Sequence, residues 1–167
     1  MDERVALSLI RMAAADMLPA VGWGQPPDAQ LVRLGVDALC AGVDSPSLAQ
    51  LAGLGRNEYG EARDLFVCVL DELGLVPLTG DTLADARWIV ARWWIGEIAA
   101  GRLEPLEGAM LIGFQVATEL GHPAALEPFF DAAMAATDPD HDSSSSSAKA
   151  DIAGRVVRAA REFVAAG

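Results

Sequence analysis

TLADARWIVARWWIGEIAAG, the stretch from Thr82 to Gly101, decides the fold. Wound at 100° per residue, its polar positions collapse onto a narrow arc of Asp85, Arg92 and Gly96. Leu83, Trp88, Ile89, Val90, Trp93, Trp94, Ile95 and Ile98 occupy nearly all the remainder. A helix apolar on almost every side belongs inside a bundle. Asp81 or Thr82 can cap its first turn, and Gly101 followed by Pro105 supplies the stop. The expected fold is therefore all-α, a single-domain bundle of about six to eight helices around this Trp-rich central helix at 82–101.

Two charges break into the apolar arc. Arg87 and Glu97 lie ten residues apart, about 15 Å along a helix that rises 1.5 Å per residue, so they cannot pair with each other. A charge among apolar neighbours is costly unless paired, so each should find a partner on another helix. Arg87, Glu97 and Trp94 are accordingly the candidate ligand-binding residues, and a polar pocket there would suit a small-molecule binder or an enzyme. Two structural ion pairs, or side chains snorkelling at a bundle end, would account for the same charges.

Working outward, Asp2 to Leu18 reads as a first helix ended by Pro19, and VGWGQPP, Val21 to Pro27, as a loop in which Trp23 plugs a gap. Asp28 caps a second helix that runs through Gly42. Asp44-Ser45-Pro46-Ser47 opens a short third, Pro46 to Ala52, with Ser45 as cap and Pro46 in the first helical position. A fourth, Glu58 to Leu73, carries the stripe Ala62, Leu65, Phe66, Val69 and Leu73. Beyond the central helix, Glu104-Pro105 starts a segment in which Ala109, Gly113 and Ala117 form a flat strip, with the central helix as its natural neighbour. Pro123 opens another helix through about Ala136. No stretch alternates with period two, so no sheet is predicted.

This gives a bundle domain over 1–137, a flexible acidic and serine-rich loop over 138–147, and a C-terminal helix over 148–167. That last helix would dock through Ile152, Val156, Ala159 and Phe163, with Arg155, Arg158 and Arg161 beside them. It carries a local charge of +2, four basic groups against two acidic, and the preceding 147 residues carry −14. The whole chain stands at −12, with 24 acidic side chains and 12 basic, of which only Lys149 is lysine. Such a surface repels phosphate backbones and attracts basic partners, so nucleic acid is not an expected ligand. The run from Ser47 to Leu54, with Gly55-Arg56-Asn57 after it, has helix-turn-helix spacing, but the helix that would read DNA is acidic.

No metal, cofactor or catalytic residue is expected. Asp138, Asp140 and Asp142 alternate as hard cations like, yet the loop lacks the glycine and distal glutamate of a calcium loop. His122 and His141 have no ligand at metal spacing. Cys40 and Cys68 sit among apolar neighbours and read as small buried hydrophobes. The apolar run from Gly108 to Thr118 is too short to span a bilayer, which argues against membrane insertion. Asp2 and Glu3 stand where a signal peptide needs positive charge, so the expected location is cytoplasmic. Oligomeric state is left open.

Two phrases carry a resemblance: VDSPSLAQLAGL at Val43 to Leu54, continued by EARDLFVCVLDELGL at Glu61 to Leu75, and GRLEPLEGAMLIGFQVATELG at Gly101 to Gly121. Together they resemble a group of small uncharacterised helical proteins of actinobacteria. In these a DSPSL-x-x-LAGL corner precedes a longer helix, and a tryptophan-rich helix precedes a G-x-L-x-P-x-x-GA start. The resemblance spans roughly residues 29 to 130 and implies a helical fold and a cytoplasmic bacterial source, with no activity attached. The functional expectation rests on charge: a non-enzymatic acidic protein-binding module, immunity-like or adaptor, towards a basic protein partner.

Overall fold

The computed structural model describes residues 1–17, 26–137 and 146–166. Trp23 and the cluster of Asp138, Asp140, His141 and Asp142 lie outside the described residues. Within them the fold is all-helical, as the periodicity predicts, with eight α-helices and no strand: α1 Glu3–Asp16, α2 Asp28–Cys40, α3 Pro46–Gly53, α4 Ala62–Glu72, α5 Gly80–Ala99, α6 Pro105–Met110, α7 Glu127–Thr137 and α8 Ser146–Ala166. A 3₁₀ turn, Tyr59–Glu61, leads into α4, and a π-helical segment, Leu111–Ala117, continues α6. The helix read at 82–101 is α5, starting and ending two residues earlier. The chain packs into two compact units, Met1–Val90 and Ala91–Gly167, with the boundary inside α5. None of the described helices is long and apolar enough to cross a membrane.

In the first unit, local chemistry sets the helix starts. The Asp2 side chain accepts from the Val5 amide at 2.9 Å and begins α1. Ser45 accepts from the Leu48 amide at 3.2 Å and begins α3, with Pro46 in the first helical position. Asp28 departs from its expected capping role: Pro27 takes the cap position and Asp28 sits in the first turn of α2. Its Oδ1 meets Arg63 Nε at 2.8 Å, while Arg63 Nη2 donates to the Pro26 carbonyl at 2.9 Å, so α4 grips the entry to α2.

Ile10 from α1, Leu31 from α2, Leu48 and Leu51 from α3, and Phe66 and Val69 from α4 are fully buried in one cluster. Each such side chain contributes roughly 1.5–3 kcal/mol on leaving water. Gly35 lets α2 and α3 close up, since a Cβ there would stand 3.2 Å from Leu51 Cγ and 3.3 Å from the Ala52 amide nitrogen.

Cys40 and Cys68 are exposed, against the expectation that they are buried. Apolar sequence neighbours misled: Cys68 is two residues past buried Phe66, about 200° around the helix, and so faces outward beside Val67. Cys40 is the last residue of α2, past the buried Leu31, Val32 and Ala38.

In the second unit, Trp94 is 7% exposed, with Ile95 and Ile98 fully buried, whereas Trp93 is only half-buried. Glu104 caps α6 by accepting from the Glu107 amide at 2.7 Å, and Pro105 follows it. Along α6 and its continuation, buried residues recur in pairs every four positions: Gly108 and Ala109, Ile112 and Gly113, Val116 and Ala117. Four α-helical residues turn about 40° past one revolution, so a four-residue repeat soon rotates away from its neighbour. The wider π turn, with i to i+5 bonds such as Thr118 amide to Gly113 carbonyl at 3.2 Å, brings it back.

At Gly113 the small-residue strip faces α7 instead of the expected central helix. A Cβ on Gly113 would lie 3.0 Å from Ala133 Cβ and 3.1 Å from Phe130 Cα, so Gly113 faces α7. Gly108 faces Ile98 at the end of α5, where an added Cβ would stand 2.5 Å from Ile98 Cδ1. The chain doubles back so that α7 packs along both α6 and the π segment, and α8 packs on α6 and α7. Ile152, Val156 and Ala160 are the buried residues of α8; Ala160 takes the place expected of Ala159, Phe163 is half-buried, and Arg155, Arg158 and Arg161 are exposed.

Candidate functional site

The residues singled out on α5 fall in different surroundings. Arg87 lies in the first unit, half-buried; Trp94 and Glu97 lie in the second. Trp94 packs beside Trp93, with ring centroids 6.4 Å apart and planes tilted by 33°. Glu97 needs no distant helix. Gly101, with φ +72°, turns the chain at the end of α5, and the Arg102 amide donates back to the Glu97 carbonyl at 2.8 Å. That reversal brings the Arg102 side chain onto the Glu97 carboxylate, Nε to Oε2 at 2.9 Å and Nη2 to Oε1 at 2.7 Å. The guanidinium's hydrogen bonds hold the Glu97 carboxyl below its ordinary range despite partial burial, and Arg102 is held above its own.

Beside this turn is an open groove of about 450 Å³, floored by Ile98, Gly101 and Leu103 and flanked by Arg102, Val157 and Arg161. Arg102 is committed to Glu97. The exposed Arg161 and the exposed carboxylate of Glu104 both line the groove, so it presents charges of both signs. Arg87, Trp94 and Glu97 do not line it. A second groove, about 330 Å³, runs between α7 and α8, with Glu127 and Asp131 opposite Arg155.

A densely bonded carboxylate lies where no local sequence pattern marks it. Glu72, at the end of α4, accepts from Ser45 Oγ at 2.5 Å, from Ser47 Oγ at 2.6 Å and from the Ser47 amide at 3.0 Å. These groups stand at the start of α3, where the free amides and the helix dipole favour an anion. The two hydroxyls, then the amide, hold the Glu72 carboxyl below its ordinary range. Ser45 at 3% and Ser47 at 7% exposure are the buried side of a lock whose carboxylate comes from 25 and 27 residues further on.

On the opposite end of the second unit, Gly121 and His122 both adopt positive φ, +73° and +56°, and the His122 amide donates to the Ala117 carbonyl at 2.8 Å. The His122 ring meets the Phe130 ring edge-on, centroids 4.5 Å apart, and Phe130 meets Phe114 at 6.4 Å in the same manner. No group of three or more His, Cys, Asp or Glu side chains suited to a metal ion occurs among the described residues.

Comparison with protein-family models, with curated proteins and with solved structures finds no match to this chain.

Proposed function

We propose that the protein is a non-enzymatic, cytoplasmic binding module that engages a basic protein partner through its acidic surface, in an immunity-like or adaptor role. Charge carries this reading. Residues 1–90 hold thirteen acidic against six basic side chains, and residues 91–167 eleven against six, so both units are negative within a total of −12. A potential of that sign gathers cationic partners and speeds their encounter.

The same sign works against DNA. On α4, Asp64 and Asp71 are exposed around Val67 and Cys68. The connection from α3 to α4, residues 54–61, is also longer than the three- or four-residue turn of a helix-turn-helix. The immobilised full chain, incubated with lysate, should retain a basic protein at low salt and release it at high salt. Retention of nothing at either salt would sink the reading.

A further inference from the structure

Two opposite charges line the groove at the end of α5 and do not meet. Arg161, exposed on α8, and Glu104, exposed at the start of α6, both border its volume of about 450 Å³. Neither takes part in an ion pair among the described residues. Glu104 gives Oε2 to the Glu107 amide at 2.7 Å, and its Oε1 accepts from no described residue. Arg102, the groove's other cation, is pinned by both its bonds to Glu97, so Arg161 is the unpaired guanidinium. Between the charges the walls are aliphatic: Ile98 from α5, Leu103 from the turn, and Val157 on α8, one helical turn before Arg161. The carbonyls of Ala99 and Ala100, which border the groove where α5 ends, accept no backbone amide among the described residues. The negative end of the helix dipole there adds to the pull of Glu104 on a cation.

A simple anion drawn to Arg161 would be repelled by Glu104, and a simple cation would meet the reverse. A molecule carrying both charges on one short frame satisfies the two together. The volume falls in the range of roughly 300–1,000 Å³ usual for small-molecule sites, with room for an apolar group besides. From the unmet charges and the aliphatic walls we infer that this groove binds a free α-amino acid with an aliphatic side chain. Its carboxylate would meet Arg161, its ammonium Glu104 and the carbonyl end of α5, and its side chain Leu103 and Val157. Every one of these residues belongs to the second unit, and the inference stands apart from the basic-partner reading.

The test is an NMR titration of the ¹⁵N-labelled full chain with L-leucine to about 10 mM, which would saturate a site of millimolar affinity or better. The amides of Gly101, Leu103 and Val157 should shift and saturate. N-acetyl-leucine lacks the ammonium, leucine amide lacks the carboxylate, and glycine lacks the side chain; each should bind at least about tenfold more weakly. Arg161→Gln, at an exposed position, should leave the melting temperature unchanged and weaken leucine about tenfold. Glu104→Asn keeps a capping side chain at the start of α6 while removing the charge, and should weaken leucine to a similar degree. Arg158→Gln, on the same helix outside the groove, should change the affinity by less than about twofold.

Absence of saturable shifts at these amides overturns the site. Equal binding of N-acetyl-leucine would make the groove an anion site, equal binding of leucine amide a cation site, and equal binding of glycine would remove the aliphatic recognition; each overturns the assignment. Leucine binding that Arg161→Gln leaves intact, or that Arg158→Gln weakens as much, overturns it as well. Retention of a basic protein from lysate is a separate readout, so either reading can fail while the other stands.

Discussion

Glu72 and Glu97 are both carboxylates at the ends of helices, both held below the ordinary carboxylate range, and they do different work. Glu72 reaches two buried serines and an amide at the start of another helix, 25 to 27 residues away in sequence. Glu97 takes both its bonds from Arg102, five residues on and well exposed. The first contact closes a long loop and ties α3 to α4. The second fastens one turn that the chain would make in any case at Gly101. A lowered carboxyl pKa thus says that a carboxylate is well bonded, and only the origin of its donors says whether the bond holds the tertiary structure.

Substitutions can break this contrast. Ser45→Ala should have the largest effect, because it removes the cap of α3 and one of Glu72's donors at a buried site. A lost cap costs about 1–2 kcal/mol, and for a chain of this size that lowers the melting temperature by roughly 2–4 °C per kcal/mol. Glu72→Gln should do less near neutral pH, since the amide oxygen still accepts. Its signature is in acid. Glu72 has a folded pKa below its unfolded one, so its contribution is present above the unfolded value and fades as pH falls from there through the folded value. Melting curves below about pH 4.5 should therefore fall less steeply in the variant than in the parent; parallel acid limbs would show that the lock does not discriminate between charge states. Arg102→Gln should have the smallest effect, within about 2 °C, because a solvent-exposed pair is screened and its geometry is local. A larger loss than that of Ser45→Ala would invert the comparison.

The same contrast explains what could be read from the sequence. All-helical architecture, the starts at Ser45-Pro46 and Glu104-Pro105, and the stop at Gly101 depend on neighbours within one turn, and the periodic pattern states them directly. Ser45 was legible as a cap, but Glu72 as its partner was not, because no local pattern links positions 27 apart. The partner of Glu97 is hidden for the opposite reason. The charge pattern points Glu97 to another helix, whereas Arg102 comes into reach because the helix ends between them. Asp28 reads as a cap by type, yet the distant Arg63 offers it an ion pair. The exposure of Cys68 is legible in helical phase, which sets it opposite Phe66, and not in the apolar character of its sequence neighbours.

The π segment gives the chain a place where length itself is negotiable. In an ordinary helix the loss of one residue swings everything downstream by about 100° and scrambles the buried face. Leu111–Ala117 already holds its turns wide, in effect carrying a residue more than α geometry requires. Deleting one residue there lets the segment tighten into a continuous α-helix with the flanking turns still in phase. A one-residue deletion in this part of the second unit should therefore keep Ala109 on one side and the turn at Gly121 on the other in register with the rest of the unit.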